Sequence, residues 1–209
     1  MLPIYSADAF RRAALFASGL LALRGSMPLH ALLDDVAHQI DVPITGVSVI
    51  ENGFCWLPVA LGLNIERLPI SDALCVDTNG FPADLLEPDL LASARYRDHP
   101  LVAGPMAIRA FASAPLRGIE GVELGTVFIG DRKARPDFLV RAKATLEHAA
   151  RHIMAEASAP YHLRRMGHTT LAELEALIRD ATRDGDDELV TAIDRVLQTI
   201  LPHTGIRDV

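Results

Sequence analysis

The stretch IRAFASAPLRGIEGVELGTVFIGDR, residues 108–132, has two apolar runs of strand character on either side of a short turn. Gly121 permits a tight return, because glycine adopts positive φ angles at no steric cost. Pro115 lacks a backbone N–H and is expected to end the hydrogen-bonded ladder of the first strand. We therefore predict two adjacent antiparallel strands, 108–117 and 122–130.

The second of these strands has an alternating pattern that assigns its side chains to faces. Val127 and Ile129 should share one face and Phe128 the other, because successive side chains in a strand point to opposite sides. Gly125 would let another part of the backbone approach closely, since it has no Cβ. Asp131 follows the strand, where its side chain can cap the next turn. This stretch is expected to be mainly scaffold.

The residues before this pair predict a helix followed by a hairpin. Residues 28–40 have apolar side chains at helical spacing, and Pro28 suits a first helical turn. From Ile44 the period changes to that of a strand, and Asn52–Gly53 is a strong hairpin turn signal. Pro58 in the return strand indicates an edge position or a bulge.

Helices are predicted at both ends, so that the order of elements indicates an α+β fold with helices packed on a central antiparallel sheet. A long helix should follow Pro136 and continue to about residue 157, and two further amphipathic helices should form a C-terminal hairpin. The expected organisation is an N-terminal helix, 1–27, a central domain, 28–157, and the helical hairpin, 158–209.

Composition and charge restrict the possible partners. The net charge of −7 disfavours binding to nucleic acid or to an anionic membrane, and an aromatic content of 5% disfavours stacking platforms for single-stranded nucleic acid. The N-terminal apolar run is too short to span a bilayer. The two cysteines, Cys55 and Cys75, form neither a metal-binding spacing nor an evident disulfide framework, which favours a reducing cytoplasm.

Within this pattern the chain resembles the GAF sensory domains over roughly residues 28 to 157. The resemblance rests on an ordered series of short motifs: Asp89, Arg95–Tyr96, Pro100–Leu101–Val102, Ile108–Arg109, Ala114–Pro115–Leu116, Gly121, Gly125–Thr126 and Asp131. It implies a sheet with a ligand pocket beside it. The chain departs from the family where Ser93 replaces a usual Asp and in the sequence of the second strand.

The resemblance also implies which residues would form the walls of such a pocket. These ligand-binding candidates are Trp56, Cys75, Asp77, Arg95, Tyr96, Arg109 and Phe111. Two interpretations of Arg109 remain open: its guanidinium could hold an anionic ligand group, or it could pair with Asp89 or Asp98 to fix the loop. Trp56 could likewise stack on a ligand or pack in the core.

The function that the resemblance implies is a sensory domain that binds a small molecule and signals through its terminal helices to a partner. Neither the ligand nor a cofactor is identified by the sequence. The alternative is a dimerisation scaffold whose pocket is filled by its own side chains. The apolar faces of the terminal helices favour a homodimer, with Ile193 and Val196 as candidate interface positions.

An enzyme is the weaker alternative, and no motif indicates an active site. Cys75 resembles a cysteine of the free methionine-(R)-sulfoxide reductases, but the later loop has no second cysteine and Cys55 lies away in a strand. His148 and His152 have the i, i+4 spacing of two metal ligands without a third, so we expect no metal site. His99 is expected to bond its own loop.

Overall fold

The structure is a computed structural model that describes residues 4–77, 80–158, 176–183 and 185–204. Its strands are β1 (Ile44–Glu51), β2 (Phe54–Leu61), β3 (Arg67–Pro69), β4 (Leu85–Glu87), β5 (Ala110–Arg117) and β6 (Glu123–Asp131). Its helices are α1 (Ile4–Ala17), α2 (Met27–Ile40), α3 (Pro100–Ala103), α4 (Leu139–Ala157), α5 (helical residues 176–183) and α6 (Asp187–Thr204).

The six strands form one antiparallel sheet in the order β3-β2-β1-β6-β5-β4, which confirms the predicted α+β fold. Strands β1 and β6 lie at its centre, and their pairing runs from Ile44 opposite Gly130 to Val49 opposite Gly125. Val127 and Ile129 share one buried face, as the alternation predicts. Phe128 packs in a separate cluster on the other face.

The hairpin between β1 and β2 follows the predicted turn chemistry. Asn52 and Gly53 both have positive φ angles, 51° and 75°, which the return between these strands requires. The bulge predicted from Pro58 is also present, because Val47 pairs with Val59 whereas Val49 pairs with Trp56. This extra residue in β2 decides which of its side chains face each side of the sheet.

The prediction that Pro115 ends a ladder is wrong. Pro115 pairs with Thr126 inside β5, and the pairing with β6 continues to Arg117. Strand β4 is short and pairs only with residues 111–113 of β5. Pro115 therefore has a strand neighbour on one side only, which is where a sheet tolerates proline.

Gly125 and Asp131 have the predicted scaffold roles. A Cβ atom on Gly125 would lie 1.9 Å from the backbone oxygen of Ser48, so the close approach of β1 requires glycine here. Asp131 is buried, and its Oδ1 accepts a hydrogen bond of 3.0 Å from the backbone N–H of Lys133. The carboxylate thereby caps the turn that follows β6.

The chain divides into two compact units. The first comprises Met1–Ala22, Gly118–Val122 and Met154–Val209, and the second comprises Leu23–Arg117 and Glu123–Ile153. In the first unit, α1 and α6 pack together through small apolar residues such as Ala13 and Ala192. Ile193 and Val196 are fully buried in this cluster. Their proposed role at a subunit interface is therefore wrong, because the chain itself covers them.

The predicted C-terminal hairpin is described only in part. Residues 159–175 lie outside the described residues, whereas α5 and α6 are helical. No helix among the described residues is long and apolar enough to cross a membrane.

In the second unit, one face of the sheet is covered by the chain between β3 and β5. We call residues 70–108, apart from the undescribed 78 and 79, the cover segment, and the sheet face beneath it the cover face. The apolar cluster between them, the cover cluster, is formed by Ile44, Ile50, Cys55, Ala73, Leu74, Cys75, Leu90, Tyr96, Val102, Ile108, Phe111 and Phe128. The cover segment has only short regular elements, which are a 3-10 helical turn (Ile70–Asp72), β4 and α3.

Candidate functional site

The cover face has a polar centre at the middle of the two central strands. Ser48 of β1 and Thr126 of β6 are directly paired, and their hydroxyl oxygens lie 2.8 Å apart. Both side chains are fully buried. A buried hydroxyl is costly without a partner, so this mutual hydrogen bond allows two polar residues to lie in the centre of an apolar sheet face.

Two thiols complete this polar centre. The Sγ of Cys75, on the cover segment, lies 3.4 Å from the Ser48 Oγ and 3.8 Å from the Sγ of Cys55 on β2. Both cysteines are buried and reduced. The expectation that Cys55 lies away from Cys75 is therefore wrong, because the pairing of β2 with β1 turns Cys55 onto the cover face opposite Ile50.

The two thiols differ in their tendency to ionise. A hydrogen bond from Cys55, helped by the hydroxyls of Ser48 and Thr126, lowers the pKa of Cys75 to about 7 against the opposing effect of burial. The hydrogen bond to Cys75 and then burial raise the pKa of Cys55.

Aromatic side chains fill the space beside the polar centre. The rings of Phe111 on β5 and Phe128 on β6 are stacked, with centroids 5.6 Å apart and planes inclined by 18°. Gly46 makes room for this pair, since a Cβ there would lie 2.6 Å from the ring of Phe128. Tyr96 of the cover segment is also buried in the cluster, and burial raises the pKa of its hydroxyl.

Three of the seven predicted pocket residues thus meet in the cover cluster, namely Cys75, Tyr96 and Phe111. Arg95 is exposed, with its guanidinium 5.1 Å from the centre of the Tyr96 ring. Asp77 holds its own loop, because its Oδ1 accepts a hydrogen bond of 2.9 Å from the backbone N–H of Phe81.

Arg109 adopts one of the two arrangements left open by the sequence. Its Nε and terminal nitrogen donate to the two carboxylate oxygens of Asp89 at 2.8 and 2.7 Å. This bidentate pair lowers the pKa of Asp89 and connects the cover segment to the start of β5. The guanidinium is therefore used for structure in this conformation.

Trp56 lies on the opposite face of the sheet from the cover cluster. It pairs with Val49 across the bulge, and the guanidinium of Arg67 lies 4.9 Å from the centre of its ring and 4.8 Å from that of Phe54. Because adjacent residues of a strand face opposite sides, Cys55 and Trp56 could not both reach one pocket. The structure does not bring Trp56 together with the other candidates.

The histidines singled out by the sequence have local roles or are exposed. His99 caps α3, where its Nδ1 accepts a hydrogen bond of 3.2 Å from the backbone N–H of Leu101, and burial lowers its pKa. His148 and His152 are exposed on α4. Among the described residues, no group of three or more His, Cys, Asp or Glu side chains could hold a metal ion.

A separate open cleft of about 670 Å³ lies at the C-terminal end of α2. None of the seven predicted ligand residues lines it. Its two arginines are held by the protein itself: Arg135 donates to the backbone oxygens of Ile40 and Asp41 and lies beside the Asp131 carboxylate, and Arg132 donates to the backbone oxygen of Gly62. Cations are favoured at this helix end, so these contacts serve the fold.

Sequence reasoning missed the residues at the centre of the cover face. Ser48 and Thr126 are polar residues inside otherwise apolar strands, and this interruption was the available signal. Their pairing depends on the register between β1 and β6, which no local pattern specifies. The proximity of Cys55 to Cys75 depends in addition on how the cover segment folds back.

Comparison with known proteins agrees with this geometry. Residues 9–156 match the family model described as GAF domain. The GAF domain of an Acinetobacter phosphoenolpyruvate-protein phosphotransferase has a TM-score of 0.50 and 15% identity, covering 80% of this chain and 99% of that one. The corresponding Coxiella burnetii domain has a TM-score of 0.50 and 18% identity, covering 78% and 98%. These structures share the fold.

A curated relative is more similar in sequence. A cyclic di-GMP phosphodiesterase of Pseudomonas aeruginosa is 31% identical over 137 residues, which cover 66% of this chain and 23% of that relative. The chain therefore spans less than a quarter of the relative's length.

Proposed function

Because this chain belongs to the GAF domain family, we propose that it is a sensory domain that binds a small molecule between the cover face and the cover segment. The observation that carries the proposal is the meeting of Cys75, Tyr96 and Phe111 above the buried hydroxyls of Ser48 and Thr126. These residues come from distant parts of the chain. Convergent polar groups in an apolar surrounding are typical of ligand sites.

The chemistry of the site favours a flat, mainly apolar ligand with one hydrogen-bonding group. The stacked rings of Phe111 and Phe128 offer a surface for an apolar or aromatic portion. The Ser48 and Thr126 hydroxyls can exchange their mutual hydrogen bond for bonds to the ligand, so that no buried polar group loses its partner.

Access to this site requires the cover segment to move. The segment contains a three-residue strand, a four-residue helix and loops, and β4 at the sheet edge pairs with only three residues of β5. Such segments open more readily than central strands, because few backbone hydrogen bonds must break. The Arg109–Asp89 pair then acts as the latch between the segment and β5.

A ligand-free scaffold is the second candidate, and the closed packing of the cover cluster favours it. Phe111, Phe128 and Tyr96 are all buried and already occupy the cover face. In that case the domain would act only through its surfaces. The homodimer that we propose belongs to both candidates. So does a cytoplasmic location, which the small number of cysteines, without an evident disulfide framework, favours.

We place the output of the sensor in a partner or an adjoining domain reached through the terminal helices. The similarity to part of a cyclic di-GMP phosphodiesterase makes an enzyme of that class the output that we propose first. A reductase-like enzyme is the weaker alternative. If this alternative holds, the protein turns over free methionine-(R)-sulfoxide and Cys75→Ser abolishes that turnover.

Native mass spectrometry of the full chain, purified without added ligand, tests the sensor. We expect a dimer that carries an additional small mass. Thr126→Val should lose that mass, because it removes one hydroxyl from the polar centre. Thr45→Val is the matched control, since Thr45 is equally buried in β1 but donates to the backbone oxygen of Phe128 instead.

The outcomes separate the two candidates. An additional mass that Thr126→Val loses and Thr45→Val retains supports binding on the cover face. A mass that both variants retain places the ligand elsewhere. The absence of any additional mass under conditions that preserve the dimer favours the scaffold.

A further inference from the structure

The two cysteines of the chain lie in contact although 20 positions separate them in sequence. The Cys55 Sγ, on β2, and the Cys75 Sγ, on the cover segment, are 3.8 Å apart. A disulfide bond needs a separation of about 2.0 Å, so the sulfur atoms have to approach by less than 2 Å.

The surroundings of the pair give the two thiols different chemical roles. The Cys75 Sγ lies 3.4 Å from the Ser48 hydroxyl, which can donate a hydrogen bond to a thiolate, and hydrogen bonding lowers the pKa of Cys75 to about 7. The hydrogen bond to Cys75 and burial raise the pKa of Cys55. A thiolate is the nucleophile in thiol oxidation, whereas a neighbouring thiol resolves the product. We assign the attacking role to Cys75, which lies beside the Ser48 hydroxyl, and the resolving role to Cys55, whose sulfur is 3.8 Å away.

We propose that Cys55 and Cys75 form a redox-active pair, which a small hydroperoxide oxidises to an intramolecular disulfide and a thiol reductant restores. This activity goes beyond the proposed function, because it depends on an oxidant and not on a bound ligand. The contact between the two sulfur atoms inside a closed cluster carries the inference.

The oxidation balances in two steps. The Cys75 thiolate attacks one oxygen of the hydroperoxide, the O–O bond breaks, and Cys75 becomes a sulfenic acid. The departing oxygen takes up the proton that Cys75 released and leaves as water or an alcohol. The Cys55 sulfur then attacks the Cys75 sulfur, the S–O bond breaks, and the Cys55 proton leaves with the hydroxyl group as water. Two electrons pass from the thiols to the peroxide.

Burial of the pair selects the oxidant by size. Cys55 is 1% exposed and Cys75 is 4% exposed, so a bulky disulfide reagent has no direct path to either sulfur. Hydrogen peroxide is close to water in size, so brief local opening of the cover segment is enough to admit it. We therefore expect oxidation by hydrogen peroxide and slow reaction with a large aromatic disulfide.

The disulfide would connect the cover segment covalently to the sheet. The backbone oxygen of Cys75 accepts a hydrogen bond from the N–H of Ala83. A disulfide bond from Cys75 to Cys55 would therefore hold this part of the segment on β2. Movement of the segment would then be restricted. Oxidation and reduction would thereby control opening of the cover face.

The test uses the reduced full chain, treated in its native state with hydrogen peroxide and then digested after the remaining thiols have been blocked. Peptide mass spectrometry should find Cys55 and Cys75 joined, with two hydrogen atoms lost, and a thiol reductant should reverse the change. Peptide-level detection is needed because the five methionines can also gain oxygen. The large aromatic disulfide is applied in parallel.

Single variants identify the roles of the two residues. Cys55→Ala and Cys75→Ala should each abolish the internal cross-link. In Cys55→Ala, Cys75 should still gain oxygen, detected by peptide mass after digestion, but more slowly than the disulfide forms in the unaltered chain, because the hydrogen bond from Cys55 that favours the thiolate is lost. Cys75→Ala should leave Cys55 unmodified at the same dose. Circular dichroism checks that each variant is folded. The cross-linking result for the unaltered chain does not depend on the variants. The proposal is overturned if both thiols persist at a dose that oxidises free glutathione, or if cross-links form only between molecules.

Discussion

Gly125→Ala should lower the free energy of unfolding by about 3 kcal/mol, the upper part of the range for overpacking in a rigid core. The added Cβ would lie 1.9 Å from the Ser48 oxygen and 3.0 Å from the Val49 Cα, both in the backbone of β1. Backbone atoms cannot move aside as a flexible side chain can. The two central strands would have to separate, and with them the Ser48–Thr126 pair.

The matched control lies five residues further along the same strand. A Cβ on Gly130 would lie 3.5 Å from the Ala110 oxygen and from the Ile44 Cγ2, which is ordinary van der Waals contact. Gly130→Ala should therefore change the free energy of unfolding by less than about 1 kcal/mol. Urea unfolding of both variants measures the difference. If both variants lost the same free energy of unfolding, the close approach of β1 to Gly125 would not be the cause of the destabilisation.

Phe128→Ala should destabilise the chain by about 4 kcal/mol, within the range observed for deletion of a buried phenylalanine. Its ring is buried against Phe111 and lies over Gly46, so its removal leaves a cavity that the flat glycine surface cannot fill. Loss of the stacked geometry adds to the cost of lost apolar burial.

Phe54→Ala is the control for this substitution. Phe54 is half-buried on β2, where its ring contacts the Arg67 guanidinium at 4.8 Å. The same deletion there should cost about 1–2 kcal/mol, because less apolar area returns to water. Thermal and urea unfolding provide the comparison. Similar losses for the two variants would contradict the assignment of Phe128 to the core of the cover cluster.

Local patterns in the sequence were sufficient for much of the sheet. The alternation around Phe128, the turn at Asn52–Gly53 and the bulge near Pro58 each follow from the conformational preferences of a few adjacent residues, and the structure confirms them. The close approach at Gly125 was also predictable in kind. The identity of the approaching backbone, that of Ser48, was not predictable, because it depends on the order of the strands in the sheet.

The site was less predictable, because it depends on contacts between residues distant in sequence. Trp56 was assigned to the pocket, but strand alternation and the bulge place it on the opposite face. Cys55 was assigned away from Cys75, although register and the folding back of the cover segment bring the two thiols together. The burial of Ile193 against α1 likewise depends on long-range packing that helical periodicity does not encode.

The central claim is that a small molecule binds between the cover face and the cover segment, and hydrogen–deuterium exchange tests it most directly. The full chain as purified is compared with the same protein after unfolding, dialysis and refolding. We predict faster exchange after this treatment in residues 90–108, with β1 and β6 unchanged, because loss of the ligand releases the cover segment. Identical exchange in the two preparations would contradict ligand binding at this face and favour the scaffold.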